Sequence, residues 1–117
     1  MAGDVRLRSL ARAVRGRVES DPTARSRVGG DGSHLRGDPM ARVVPADADD
    51  VVALVRWARR QRVALVPRGA GTSLDGESVP PDGAVVVDLG PWDRVLEVSA
   101  SGRWARVQPG VVNGRLQ

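Results

Sequence analysis

The chain has 117 residues, enough for one small domain that buries about two-thirds of its unfolded surface. A hydrophobic share of 41% beside 27% charge is that of an ordinary globular sequence, and the absence of cysteine excludes disulfides, thiol nucleophiles and thiolate metal sites. The formal charge of +4 rests on 18 basic residues, all arginine, but they are spread from Arg6 to Arg115 among Asp and Glu, with no Tyr or Phe for base stacking. That argues against a nucleic-acid surface, which needs clustered charge and stacking platforms.

From Asp4 to Glu19 the apolar residues Leu7, Leu10, Ala11, Val14 and Val18 recur at helical spacing and predict an amphipathic surface helix. Arg6, Arg8, Arg12, Arg15 and Arg17 interrupt any signal-peptide core, and no apolar run approaches the roughly 18 to 20 residues of a membrane span, so the cytoplasm is the expected compartment. Ser20 to Pro39 reads as loop or linker, with a turn cluster at Gly29-Gly30-Asp31-Gly32.

Ala41 to Pro45 predicts a short strand. A helix follows, with Asp47 as N-cap, Asp49 and Asp50 in its first turn, and Val51, Leu54, Val55 and Ala58 as the buried stripe. Arg59, Arg60 and Arg62 suit its C-terminal end. Val63 to Pro67 is a second strand, so the unit from Arg42 to Pro67 predicts a right-handed crossover and parallel pairing. Ala84 to Leu89 is a third strand, apolar enough to be buried on both faces. Arg94 to Ser99 and Trp104 to Gln108 form a hairpin that turns through Ala100, Ser101 and Gly102. The chain stops at Gln117, just after a fresh apolar start at Val111 and Val112, and this ending reads as truncation of a longer domain.

The segment Pro67-Arg68-Gly69-Ala70-Gly71-Thr72-Ser73-Leu74-Asp75-Gly76 carries the chemistry. Glycines let a backbone approach a ligand and turn its amides inward, Thr72 and Ser73 add hydroxyl donors, and Arg68 adds a charge, which together suit a diphosphate. A P-loop is excluded because the chain has no lysine, and a dinucleotide fingerprint fails because Leu74 stands where its third glycine belongs. On spacing alone a purely structural tight loop remains open.

The stretch V-P-R-G-A-G-T-S-L-D-G-E-S-V-P resembles the diphosphate loop of FAD-linked oxidases of the vanillyl-alcohol oxidase type, which share a PCMH-type FAD-binding domain. The preceding A-R-V-V-P-A-D-A-D-D-V-V-A-L-V-R-W-A and the following V-V-V-D-L, R-V-L-E-V and V-Q-P-G-V are similar to the same family in the same order. D-G-S-H-L-R-G-D-P-M resembles the approach to the first strand in its glycolate oxidase and D-lactate dehydrogenase branch.

The resemblance implies an α+β fold: an incomplete first subdomain built of an N-terminal helix, strand-helix-strand, glycine loop, strand and hairpin. It divides the chain into residues 1–30, helix and linker, and residues 31–117, flavin-binding. Pro67, Arg68, Gly69, Ala70, Gly71, Thr72, Ser73 and Leu74 would line or flank the FAD diphosphate, and Pro109, Gly110 and Val111 would pass near the flavin. Ala70 stands where a third glycine is common. Thr72 stands where the covalently flavinylated branches carry histidine, so FAD is expected to be noncovalent. The parent enzyme would oxidise a 2-hydroxy acid or similar alcohol bound by polypeptide outside this segment, with no catalytic residue here. The alternative is a noncatalytic fragment or a basic nucleic-acid-binding module.

The remaining candidates have plainer readings. His34, the only histidine, reads as a solvated loop residue; Asp47, Asp49 and Asp50 read as helix-capping rather than metal-binding; Trp57 and Trp104 read as packing.

Overall fold

The computed structural model describes residues 2–117, with side-chain surroundings from residue 5 onward. Its elements are helix α1 (Ala2–Ala13), strand β1 (Arg17–Glu19), α2 (Pro22–Arg27), β2 (Ala41–Val44), α3 (Ala48–Gln61), β3 (Leu65–Arg68), β4 (Val85–Asp88), the hairpin β5 (Val95–Ser99) and β6 (Trp104–Val107), and a short α4 (Asn113–Leu116). The fold is α+β, with one four-stranded sheet in the order β1-β2-β4-β3 and a separate two-stranded sheet β5-β6.

Strands β2 and β3 both run parallel to β4, and β1 closes the edge antiparallel to β2. The expected direct pairing of β2 with β3 is therefore corrected, because β4 lies between them. Every residue of β4 is buried, as expected, and a strand apolar on both faces belongs at the centre of a sheet.

The N-terminal helix is shorter than its apolar spacing predicts. The amides of Arg15 and Gly16 donate to the Asp50 carboxylate, each at 2.8 Å, instead of continuing a helix, and the chain turns into edge strand β1. The reading of Ser20 to Pro39 as loop is also corrected, since α2 forms behind an Asp21 cap that accepts from the Ala24 amide, with Pro22 at the first helical position.

Helix α3 begins at its Asp47 cap as expected, but its buried face is rotated from the predicted stripe. Asp50, Leu54, Trp57 and Ala58 face inward, whereas Val55 is 51% exposed. The cause is polar: Asp50 is drawn in by the amides of Arg15, Gly16 and Ala46, and the Trp57 indole donates to Ser9 Oγ at 3.0 Å.

The core lies between α1, α3 and one face of the sheet, where Leu10, Val14, Ala41, Val43, Leu54, Trp57, Ala58, Val85 and Val87 pack. Residues before and after position 30 share it. Strand alternation sends Arg17, Glu19, Arg42, Arg68 and Asp88 to the opposite face. Val66 and Val86 lie buried on that face among these charges, and the face leads into the glycine loop.

Candidate functional site: the glycine loop and the cavity beside it

The loop leaves β3 at Arg68, at the same end of the sheet where β4 finishes at Asp88. Gly71 and Gly76 take positive φ values of 73° and 87°, which only glycine adopts without strain. Ala70 is not among the residues with positive φ, so alanine fits where the family resemblance has a third glycine.

The amides from Gly69 to Gly76 find no acceptor among the described residues. The loop lies at the surface, with no residue from Gly69 to Gly76 fully buried, so these amides are open to water and to any acceptor that docks beside the glycine turn.

What braces the loop lies on its far side. Arg68 Nη1 donates to Gly30 O at 2.5 Å, and its guanidinium sits where a Cβ at Gly71 would be. The Gly32 amide donates to Ser73 O at 2.8 Å, and Asp31 accepts from the amides of Ser33 at 2.8 Å and Ser78 at 3.4 Å. Ser33 foremost, with the Ser78 amide and the Arg68 charge, holds the Asp31 carboxyl below the usual range although its burial works the other way. Gly30, Asp31 and Gly32 thus position the loop. Sequence reasoning placed them in an approach segment and gave them no role; the Asp-Gly-Ser turn was the available signal.

The structure brings Pro109, Gly110 and Val111 to the same place. Pro109 O stands 3.2 Å from the Cβ position of Gly69, and a Cβ at Gly110 would collide with the carbonyls of Gly90, Leu89 and Trp92. Their amides are committed, Gly110 N to Trp92 O at 2.8 Å and Val111 N to Gln108 O at 3.2 Å. Trp92 in turn donates to Pro45 O at 3.0 Å and ties the segment to the end of β2. Pro67 and Leu74 are exposed flanks. His34 is an exposed turn residue at φ 73°. Trp57 is buried as expected, but Trp104 is 46% exposed, since the hairpin packs little of its surface; its reading as a packing residue is corrected.

A cavity of about 450 Å³ opens beside the loop, lined by Arg68, Gly69, Ala70, Gly90 and Pro91, by Ala24, Arg27 and Val28 of the α2 region, and by Arg17, Glu19, Arg42 and Asp88. Arg42 is clamped between Asp88 Oδ2 at 2.7 Å and Glu19 Oε2 at 3.0 Å. Burial would lower the Arg42 pKa, yet Asp88 and Glu19 together raise it. Arg17, at 2.6 Å, is the main cause holding Glu19 below the usual carboxylate range. Asp88 Oδ1 also accepts from the Gly90 amide at 2.9 Å and so fixes the turn against Gly69.

This architecture is that of the first part of a flavin-oxidase domain. Over 97% of its length the chain superposes on p-cresol methylhydroxylase with a TM-score of 0.81 at 16% identity, and over 92% on 4-ethylphenol oxidase from Gulosibacter chungangensis with a TM-score of 0.78 at 26% identity. It covers 23% and 22% of those chains.

Residues 39–117 match the FAD binding domain family, and the chain belongs to it. It is 39% identical over 103 residues to D-2-hydroxyglutarate dehydrogenase of Stutzerimonas stutzeri (strain A1501), covering 87% of this chain and 22% of the relative. It is 38% identical over 81 residues to glycolate oxidase subunit GlcD of Escherichia coli (strain K12), covering 69% and 16%. The chain therefore spans less than a quarter of the length of these relatives.

The residues present fit FAD. A diphosphate offers only acceptors, and the loop offers unengaged amides, the hydroxyls of Thr72 and Ser73, and the nearby Arg68 charge.

Proposed function

We propose that residues 31–117 supply the diphosphate-binding part of an FAD-dependent oxidoreductase that oxidises the CH–OH group of a 2-hydroxy acid or similar alcohol, with the cytoplasm as its expected compartment. Residues 1–30 add α1 and the edge strand β1 to the same core, and α2 beside the cavity on the other face of the sheet. The observation that carries the reading is the unpaired run of amides from Gly69 to Gly76. Arg68, Gly69, Ala70, Gly71, Thr72 and Ser73 line the diphosphate, Pro67 and Leu74 flank it, and Pro109, Gly110 and Val111 bound it by shape, since two of their amides are committed elsewhere and proline has none. The names of the relatives support the hydroxy-acid class of substrate.

Bound FAD supplies the two-electron acceptor. The chain's own residues bind and orient its diphosphate, and Arg68 holds the loop in the receiving shape through Gly30. FAD is held noncovalently, a reading supported by the resemblance, in which the covalently flavinylated branches carry histidine at the position of Thr72. The substrate and the group that takes its proton belong to polypeptide beyond these residues.

Equilibrium dialysis of FAD against the 117-residue chain tests this. Saturable binding that is lost in Arg68→Ala and Gly71→Val supports the cradle. A folded chain that binds no FAD, or binds it equally in both variants, overturns it for these residues.

A further inference from the structure

We propose that the cavity beside the glycine loop receives the diphosphate between the loop and α2, and that Arg27 is its second cationic arm. Neither the glycine motif nor the family resemblance assigns Arg27 a role. The inference rests on the FAD reading only for naming a diphosphate as the ligand.

The argument starts from the charges around the cavity. Glu19 and Asp88 would repel a phosphate if they were free, but each is saturated: Arg17 and Arg42 donate to Glu19, and Arg42 and the Gly90 amide donate to Asp88. Those two arginines and two carboxylates cancel. What remains is Arg68, whose guanidinium donates to the uncharged carbonyl of Gly30, and Arg27, which has no hydrogen-bond or ion-pair partner among the described residues.

Among the lining residues the excess is thus two positive charges, with the Asp31 carboxylate acting on Arg68 from outside the cavity, and Gly69 and Ala70, whose amides have no acceptor among the described residues, line the same cavity. A diphosphate ester carries two negative charges on oxygens that accept in the planar geometry a guanidinium offers. The volume, about 450 Å³, exceeds a single inorganic ion and matches part of a dinucleotide. Helix α2 is held over the sheet by its buried Ala24 and Val28, so Arg27, in its last turn, is carried on a packed element.

The test uses inorganic pyrophosphate and the full chain in calorimetric titration at low salt. Wild type binds saturably, Arg27→Gln binds about tenfold more weakly, and the gap narrows as salt rises. Arg27→Lys recovers part of the loss, because it restores the charge without the fork. Arg8→Gln, which removes the same charge from an exposed position on α1, leaves the affinity unchanged, and Arg27→Gln leaves the melting temperature unchanged. Equal weakening in Arg27→Gln and Arg8→Gln, no weakening in either, or no pyrophosphate binding by the folded chain overturns the proposal. FAD binding that depends on Gly71 while pyrophosphate ignores Arg27 removes this inference and leaves the FAD reading. Pyrophosphate binding that needs Arg27 in a chain indifferent to FAD does the reverse.

Discussion

The glycine loop and the Pro109-Gly110-Val111 segment lie side by side and both contain glycine at close backbone approaches, yet their amides are used in opposite ways. Those of Gly69 to Gly76 have no acceptor among the described residues, and those of Gly110 and Val111 are bonded to Trp92 and Gln108. Glycine in the first segment frees backbone for a ligand, whereas in the second it lets three carbonyls close in on the chain. The same residue type therefore marks a binding surface in one place and a joint of the scaffold in the other. The hydrogen-bond partners, and not the glycine, tell the two apart.

Substitutions that tax each kind of amide separately can break this contrast. The largest effect is expected from Gly110→Ala, whose Cβ would meet backbone carbonyls that cannot move aside; docking of the hairpin base should weaken by about 3 kcal/mol. Hydrogen exchange should then show β5 and β6 opening while β2, β4 and β3 stay protected. Opening of the central sheet together with the hairpin would mean that the segment is not a separable joint.

Gly71→Val comes next. It forces a β-branched residue into φ 73° and displaces the Arg68 guanidinium, so FAD affinity should fall roughly 100-fold, with a loss of about 1–3 kcal/mol in stability from the strain. A large fall in stability with unchanged FAD affinity would make the loop a scaffold too.

Asp50→Asn tests committed amides far from the ligand. Its carboxylate accepts from Arg15, Gly16 and Ala46, and an amide group cannot accept from all of them, so unfolding free energy should drop by about 2 kcal/mol in denaturant titration. Burial pushes the Asp50 pKa up, but those amides outweigh it and hold it below the ordinary value. Because the folded value is the lower one, this stabilisation is present above the unfolded pKa of about 4 and is lost as pH falls through the folded value. Wild type should therefore lose its advantage over Asp50→Asn in that acid range, and an advantage that persists below it would show that the charge is not the cause.

The smallest effect is expected from Pro109→Ala, a residue without an amide donor. FAD affinity should change less than about threefold. A loss comparable to that of Gly71→Val would place Pro109 among the residues that hold the diphosphate.

Much of the local structure was legible because its causes are local. Asp47 caps α3 through the Asp50 amide, the apolar run of β4 demands a central strand, and the hairpin turns between Ser99 and Trp104, although its positive φ falls at Arg103 and not at Gly102. Two of the misreadings share a distant cause. Helical spacing from Leu7 to Val18 says nothing of Asp50, which lies 34 residues from Gly16 and takes its amide. The same carboxylate turns α3 on its axis and exposes Val55. Helix α2 was written in Asp21 and Pro22, a cap and first-turn pair hidden in a polar, glycine-rich stretch.

By itself the sequence determined strands β2 to β6, though not β1, where the glycine loop lies and which family its order of motifs resembles, because turn chemistry, apolar periodicity and a contiguous motif are properties of neighbouring residues. Only the tertiary structure decided that β4 separates β2 from β3, that Gly30 to Gly32 brace the loop, that the Gly110 amide is committed while the Gly69 amide is free, and that Arg27 shares a cavity with Gly69 and Ala70. Each of those depends on partners distant in the chain, and hydrogen-bond accounts and charge balances close only when both partners are in place.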